Sequence, residues 1–231
     1  MKQSVDIFNH KSVNFIVKYF YKIITKKEVI VVSAKIITIS RQFGSGGRSI
    51  AKQLAIKLGY DYYDKEIIEE VAKKTGFTKD VVASRGEEAP GKSIFSYGFD
   101  GQGVPGIMNG MTMNDYIWSE QRKVIKQIAD SGKPCVIVGR SADYILREYD
   151  DVLNVFIYAD MEFRKERIVR LYGNTDNKPE KRLEDKDKKR KANHKHFTDL
   201  DWGYAPNYDI CLCSSKLGMD KCVDIIADLA K

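Results

Sequence analysis

The chain has 231 residues, 43% hydrophobic and 31% charged, a balance and length that fit a soluble α/β domain with small inserted lobes. Its formal net charge of +7 is uneven: residues 1–35 carry +5, residues 178–195 carry +5, and about −3 remains for the rest. That distribution excludes a protein basic all over, as a general nucleic-acid binder would be. Cys135, Cys211, Cys213 and Cys222 form no C-x-x-C pair, and three histidines are too few and scattered for a zinc site. Reduced, buried cysteines point to a cytoplasmic protein. No apolar stretch reaches the roughly 18–20 residues of a membrane span, and no signal peptide is expected.

In chain order, residues 1–35 form a basic N-terminal extension. Val13, Ile16, Val17, Phe20, Ile23 and Ile24 share one helical face, with Lys11, Lys18 and Lys22 around it. That pattern predicts a helix packed on the core or on a partner subunit. Contact with an anionic membrane surface or a poorly ordered tail are the alternatives. Ile36–Ile39 is an apolar run suited to a buried parallel strand. A glycine-rich turn follows, and the spacing of Ile50, Leu54, Ala55 and Leu58 predicts a helix over 47–58, stopped by Gly59. Residues 60–63 read as a second strand. Asp64 is a suitable N-cap for the next helix, whose buried face holds Ile67, Ile68, Val71 and Ala72.

Residues 86–113 are punctuated by glycines and prolines and are expected to be a mobile substrate-binding insert. A helix over 114–131, a strand over 135–138, a short helix over 141–147 and a strand over 152–158 come next. Asp160 should cap a helix carrying Arg164, Arg167 and Arg170. Residues 173–195 are polar and charged, helical from about 180, and are expected to act as a lid. A strand over 209–213 and a helix over 220–229 close the pattern. Five strands alternating with helices predict a three-layer α/β/α fold with a five-stranded parallel sheet.

The order strand, glycine turn, helix is how a parallel-sheet protein holds a phosphate. Bare backbone N–H groups meet the positive end of a helix dipole there. Gly44, Ser45, Gly46, Gly47, Arg48 and Ser49 therefore make a candidate anion cradle. The phosphate-loop pattern is G-x-x-x-x-G-K-[ST]. Here Gln42 replaces its first glycine and Arg48 its lysine, while Ser49 keeps the hydroxyl.

The chain from Ile36 onward resembles the cytidylate kinase-like branch of the nucleoside monophosphate kinases. The likeness rests on Ile39-Ser40-Arg41-Gln42-Phe43-Gly44-Ser45-Gly46-Gly47, on Tyr63-Asp64-Lys65-Glu66-Ile67-Ile68, and on Val136 to Asp143. It continues through Phe156-Ile157-Tyr158-Ala159 with the arginine helix behind it, the D-x-x-R pair Asp187 and Arg190, and Trp202 with Asn207-Tyr208-Asp209. The resemblance implies a P-loop NTPase fold and ATP-dependent phosphoryl transfer, with magnesium, to a nucleoside monophosphate such as CMP or dCMP.

It also implies roles. Arg48 would reach the β- and γ-phosphates of ATP, and Ser49 would be the magnesium ligand. Asp64 would orient the acceptor or magnesium-bound water. Arg140 would grip the acceptor monophosphate bidentately, and Arg41 is counted among the acceptor-binding residues. Arg164 and Arg167 would serve ATP near the hinge of the lid, and Asp187 and Arg190 would contact sugar and phosphate. Cytidylate kinases carry a loop lysine and an acidic residue after Gly-Arg. Here those positions are Arg48 and Ser141, and Val138 stands where an acid could support magnesium. These departures keep open a second reading, a nucleotide-binding sensor without turnover. No nucleic-acid module accompanies the basic segments. The sequence sets neither base preference nor oligomeric state.

Overall fold

Short β-branched segments, each ending in a loop and followed by a helix, assemble one parallel sheet. The structure, a computed structural model, describes residues 34–87 and 111–231. The expected helix of the N-terminal extension and nearly all of the expected 86–113 insert lie outside the described residues. The strands are β1 (Ile36–Arg41), β2 (Asp61–Tyr63), β3 (Cys135–Val138), β4 (Val152–Tyr158) and β5 (Ile210–Cys213). They lie in the order β2-β3-β1-β4-β5, with every pairing parallel.

The helices among the described residues are α1 (Gly47–Leu58), α2 (Lys65–Thr75), α3 (Lys79–Arg85), α4 (Met113–Asp130) and α5 (Ala142–Ile145). Then come α6 (Met161–Tyr172), α7 (Pro179–Thr198), α8 (Ser214–Leu217) and α9 (Met219–Leu229), with a 3₁₀ turn at Ala205–Asn207. β1 is the central strand, and its residues are buried along its whole length. Successive side chains leave a strand on opposite faces. Ile37 and Ile39 join Val136, Val138 and Ile157 under α1 and α9, packed on Leu54, Val223 and Ile226. Ile36, Cys135 and Ile137 point the other way, onto Ile67 and Val71 of α2 and Ile117 and Ile125 of α4. The expected three-layer α/β/α fold with its five-stranded parallel sheet is therefore present.

The strand order positions the site. The connection after β1 leads toward β2 at one edge, and the connection after β4 leads to β5 at the other. Chains diverging from neighbouring strands leave a crevice at their carboxyl ends, where open α/β sheets bind ligands. Here that crevice opens over the ends of β1 and β4.

The local departures have physical reasons. Asp64 sits at the cap position of α2, but no side-chain cap bond forms there; Glu66 Oε2 instead accepts from Asp64 N at 2.8 Å. Asp160 also precedes α6 without a side-chain cap bond. α3, α8 and the 3₁₀ turn are additional to the expected elements. Each is too short to show a helical repeat, and Val82 is the one fully buried residue of α3. A capping box between Thr112 and Asp115 starts α4.

Leu54 on α1 is fully buried, whereas its neighbour Ile56 is 74% exposed. Leu54→Ala should lower unfolding stability by about 2–5 kcal/mol, and Ile56→Ala by no more than about 0.5 kcal/mol. Urea denaturation with an unchanged slope checks both.

Candidate active site

Residues 42–46 join β1 to α1. Gly44 has φ 82°, and a Cβ there would lie 3.0 Å from the Arg164 carbonyl oxygen. Any other side chain would meet backbone strain and the neighbouring helix together. No side chain caps α1, and no acid occupies its first turn. Its leading N–H groups and positive dipole end are left for an external anion. Gln42, in place of a consensus glycine, is a structural tie. Its Oε1 accepts from Ala159 N at 3.2 Å, beyond the end of β4, and its carbonyl oxygen accepts from Ser45 Oγ at 2.9 Å. Ser45 is buried, with its hydroxyl turned inward, so only its backbone is offered to the loop.

A buried ion pair grips the loop from both sides of one residue. Phe43 N donates to Asp187 Oδ1 at 2.8 Å, and Arg164 Nε donates to the Phe43 carbonyl oxygen at 2.8 Å. Arg164 Nη2 closes the ring on Asp187 Oδ2 at 2.6 Å. Burial pushes the Asp187 carboxyl up, against the opposing pull of the Phe43 N–H and of Arg164 and Arg190. Arg164 and Asp187 thus face the loop backbone and each other.

On the α1 side, Arg48 forks onto Asp64, Nε to Oδ2 at 2.5 Å and Nη2 to Oδ1 at 3.2 Å. Asp64 is buried and Arg48 is half exposed. Burial alone would lower the Arg48 pKa, but the Asp64 carboxylate outweighs it and the net shift is upward. Tyr62, beside the pair, is pushed up to about 12 by burial and by Asp64. Arg167 Nη2 donates to Ser49 Oγ at 2.8 Å. Burial, and then Arg170, lower the Arg167 pKa. Gly44, Gly46, Gly47, Arg48, Ser49 and Arg167 line a cavity of about 100 Å³ that also reaches Arg41 and Arg190.

A second, smaller cavity of about 30 Å³ lies beyond the end of β3. Gly139, Arg140 and Ser141 follow that strand with φ of 70°, 59° and 50°. Two successive non-glycine residues in the left-handed region cost roughly 1–2 kcal/mol each, and the turn aims the buried Arg140 at the cavity. The Arg41 guanidinium lies directly against Gly139, and Arg41 is buried. Burial first, and then Arg190, lower the Arg41 pKa to about 9. Burial likewise lowers that of Arg140. Arg190 Nη1 donates to the Arg41 carbonyl oxygen at 3.1 Å. Glu87 stands opposite, 4.0 Å from Arg140 Nη2 and 4.0 Å from Arg190 Nε. Burial pushes the Glu87 carboxyl up, but Arg140, Arg190 and Arg41 together hold it down at about 2.

Ser141 Oγ lies 3.1 Å from His194 Nδ1, in the place where an acidic residue was expected from the resemblance. Burial lowers the pKa of His194, which lines the cavity, and raises that of its buried neighbour Asp143. Glu87 and His194 were not among the expected site residues. Both fall within segments expected to serve the site, the 86–113 insert and the 173–195 lid, but their partners lie far away along the chain.

The residues present fit ATP and magnesium. The open start of α1 with Arg48 and Arg167 beside it suits a polyphosphate. Ser49 Oγ accepts one bond from Arg167 and has a second lone pair for a cation. No cluster of three or more acidic, histidine or cysteine ligands occurs among the described residues. Magnesium held between phosphates and one or two protein oxygens needs none. No helix among the described residues is long and apolar enough to cross a membrane.

A glycine loop between the central strand and an uncapped helix, at the crevice of a parallel sheet, defines a P-loop protein of the kinase type. The chain belongs to the cytidylate kinase-like family, whose model matches residues 36–216. That membership makes it a nucleotide-binding, phosphoryl-transfer protein by class. Among solved structures it is similar to an uncharacterised protein from Eubacterium ventriosum, 27% identical with TM-score 0.63, covering 84% of this chain and 97% of that one. A shikimate kinase from Acinetobacter baumannii is 16% identical with TM-score 0.48, covering 84% of this chain and 91% of that one; it informs neither acceptor nor mechanism. No curated protein matches the chain.

Asp187→Ala would leave the Arg164 guanidinium buried without its counter-charge. It should cost about 3–5 kcal/mol of stability. Combining it with Arg164→Met should cost clearly less than the sum of the two single changes, by about 1–3 kcal/mol. A double-mutant cycle by chemical denaturation measures the difference.

Proposed function

We propose that the protein transfers the γ-phosphoryl group of ATP to a nucleoside monophosphate, CMP or dCMP by its family, in the cytoplasm. The observation that carries this reading is the sharing of Arg41 and Arg190 between the two cavities. One cavity has the features of a donor-phosphate site. The other has three guanidiniums for an acceptor anion, and the shared arginines lie where the transferred group would pass.

The chemistry asks mainly for positioning and charge. An ionised oxygen of the acceptor phosphate attacks the γ-phosphorus, the bond to the bridging oxygen breaks, and ADP leaves with that electron pair. No proton needs a base. Charge spreads over the equatorial oxygens in the transition state, and fixed cations lower its energy. Arg48 would leave Asp64 for the β- and γ-phosphates, and Arg167 would stay beside Ser49. Arg140 and Arg190 would hold the acceptor phosphate, with Arg41 beneath. Magnesium, when bound at Ser49, would neutralise charge on the donor phosphates. Arg164 and Asp187 are positioning residues that fix the loop. Residues 173–195 would form the lid and 86–113 the acceptor insert, with 1–35 as an extension outside the kinase domain.

A second reading, nucleotide binding without turnover, is favoured by one observation: Arg48 is already paired with a buried carboxylate. The two separate on ATP consumption, with magnesium, against a panel of nucleoside monophosphates. Stimulation by a pyrimidine monophosphate is expected, and no stimulation by any acceptor at saturating ATP would sink the kinase reading. Arg48→Ala should lower turnover by ~10³-fold, the scale of losing one well-placed cation in phosphoryl transfer. Arg48→Lys should keep turnover within about tenfold of the parent, because the point charge still reaches phosphate.

A further inference from the structure

Three guanidiniums share the acceptor cavity with one carboxylate. Arg41 is buried, the Arg140 side chain is 6% and that of Arg190 13% exposed, and Glu87 is half-buried among them. The neighbouring acids are committed elsewhere, Asp64 to Arg48 at 2.5 Å and Asp187 to Arg164 at 2.6 Å, with Arg190 Nη1 a further 3.8 Å from Asp187. Glu87 reaches ion-pair range of Arg140 and Arg190, one oxygen to each, but both separations are 4.0 Å. Hydrogen bonds need about 3.2 Å or less. Among the described residues, Arg140 Nη1 and Arg190 Nε are buried without a hydrogen-bond partner. A single planar carboxylate is too small, and too weakly charged, to satisfy this cluster.

A tetrahedral dianion answers both deficits. It brings two negative charges in place of one and three or more acceptor oxygens in place of two. The backbone is shaped for the approach: a Cβ on Gly86, the residue before Glu87, would lie 2.8 Å from Arg140 Nη1. Glu87 also stands two residues beyond the end of α3 (Lys79–Arg85), a short helix with a single fully buried residue, so it hangs from a lightly anchored support.

We propose that Glu87 is an internal stand-in for the acceptor's anion, holding Arg41, Arg140 and Arg190 in place until a phosphoryl dianion displaces it. This rests on the acceptor-site reading above and adds a residue that sets its specificity. A tethered carboxylate outcompetes free monoanions such as acetate or chloride by its local concentration, and yields to a dianion that makes more bonds. The site is thereby selective for phosphate esters over carboxylates although its cations attract both.

The test needs no ATP. Inorganic phosphate and acetate are titrated by calorimetry into the parent protein, Glu87→Gln and Glu87→Asp. Glu87→Gln should bind phosphate at least tenfold more tightly than the parent and gain measurable acetate binding. Glu87→Asp, with a shorter tether, should fall between. Adding Arg140→Met to Glu87→Gln should abolish the gain. Phosphate affinity within twofold of the parent, or a gain that survives Arg140→Met, would overturn the proposal. Should Glu87→Gln prove poorly folded in chloride, phosphate should raise its melting temperature more than the parent's, and an equal or smaller rise overturns the proposal as well. Absence of turnover on every monophosphate would end the kinase reading and leave these binding results standing, so the two failures are distinguishable.

Discussion

Guanidinium groups crowded side by side repel one another, those that are buried also lose their hydration, and the carboxyl end of β1 gathers five such groups. Arg41, Arg48, Arg140, Arg167 and Arg190 line the two cavities, which share Arg41 and Arg190. Three carboxylates offset them: Asp64, Glu87 and Asp187. Such a cluster is tolerable only with counter-charge nearby, because truncating one partner of a buried pair costs several kcal/mol. The lowered pKa values of Arg41 and Arg140 record the same tension, with burial as the leading cause in both. A fold that concentrates this much positive charge is suited to ligands that bring negative charge with them. In phosphoryl transfer, both substrates do.

The counter-charges also set the shape of the site. Asp187 and Arg164 close a ring around the Phe43 peptide, so the loop between β1 and α1 is held by α6 and α7 as well as by its own turn. Arg190 lies one turn along α7 from Asp187, its guanidinium 5.8 Å above the Phe43 ring, which itself stacks on Tyr172 of α6. Loop conformation, the placement of Arg190 and the seating of α7 on α6 are therefore one mechanical unit. A movement of α7 that withdrew Arg190 would loosen the grip on Phe43 at the same time. Gln42 completes the arrangement from the β4 side. The missing consensus glycine is thus compensated by side-chain ties that fix the loop from outside.

The fold was legible because its signals are local. The strands at 135–138 and 152–158 and the helix at 47–58 have the bounds that their apolar runs and bounding glycines predict. The phosphate loop was legible for the same reason, since strand, glycine turn and helix are contiguous. Asp64 shows where local reading stops. A carboxylate before a helix reads as a cap, but the fork of Arg48, sixteen residues away in sequence, takes it instead. The pairing of Arg164 with Asp187 and that of Ser141 with His194 span 23 and 53 residues. The left-handed turn at Arg140 and Ser141 could not be foreseen either, because non-glycine residues there are held by their surroundings. What the sequence hid was which charge faces which, and that depends on tertiary packing alone.

The Arg48–Asp64 fork bears on why an arginine stands at the lysine position. A lysine is a compact point charge, whereas a guanidinium presents parallel N–H groups that engage both oxygens of one carboxylate. Arg48 uses that fork on Asp64, at 2.5 and 3.2 Å. The half-exposed arginine can swing while the buried aspartate cannot. A donor phosphate reaching the start of α1 would then compete with Asp64 for Arg48, as an acceptor phosphate would compete with Glu87 for Arg140 and Arg190 under the proposal above. In each half of the site a tethered carboxylate faces the cations, and on this proposal a ligand of higher charge would take them over. The arginine substitution fits that scheme, because its fork can satisfy a carboxylate and a phosphate with the same geometry.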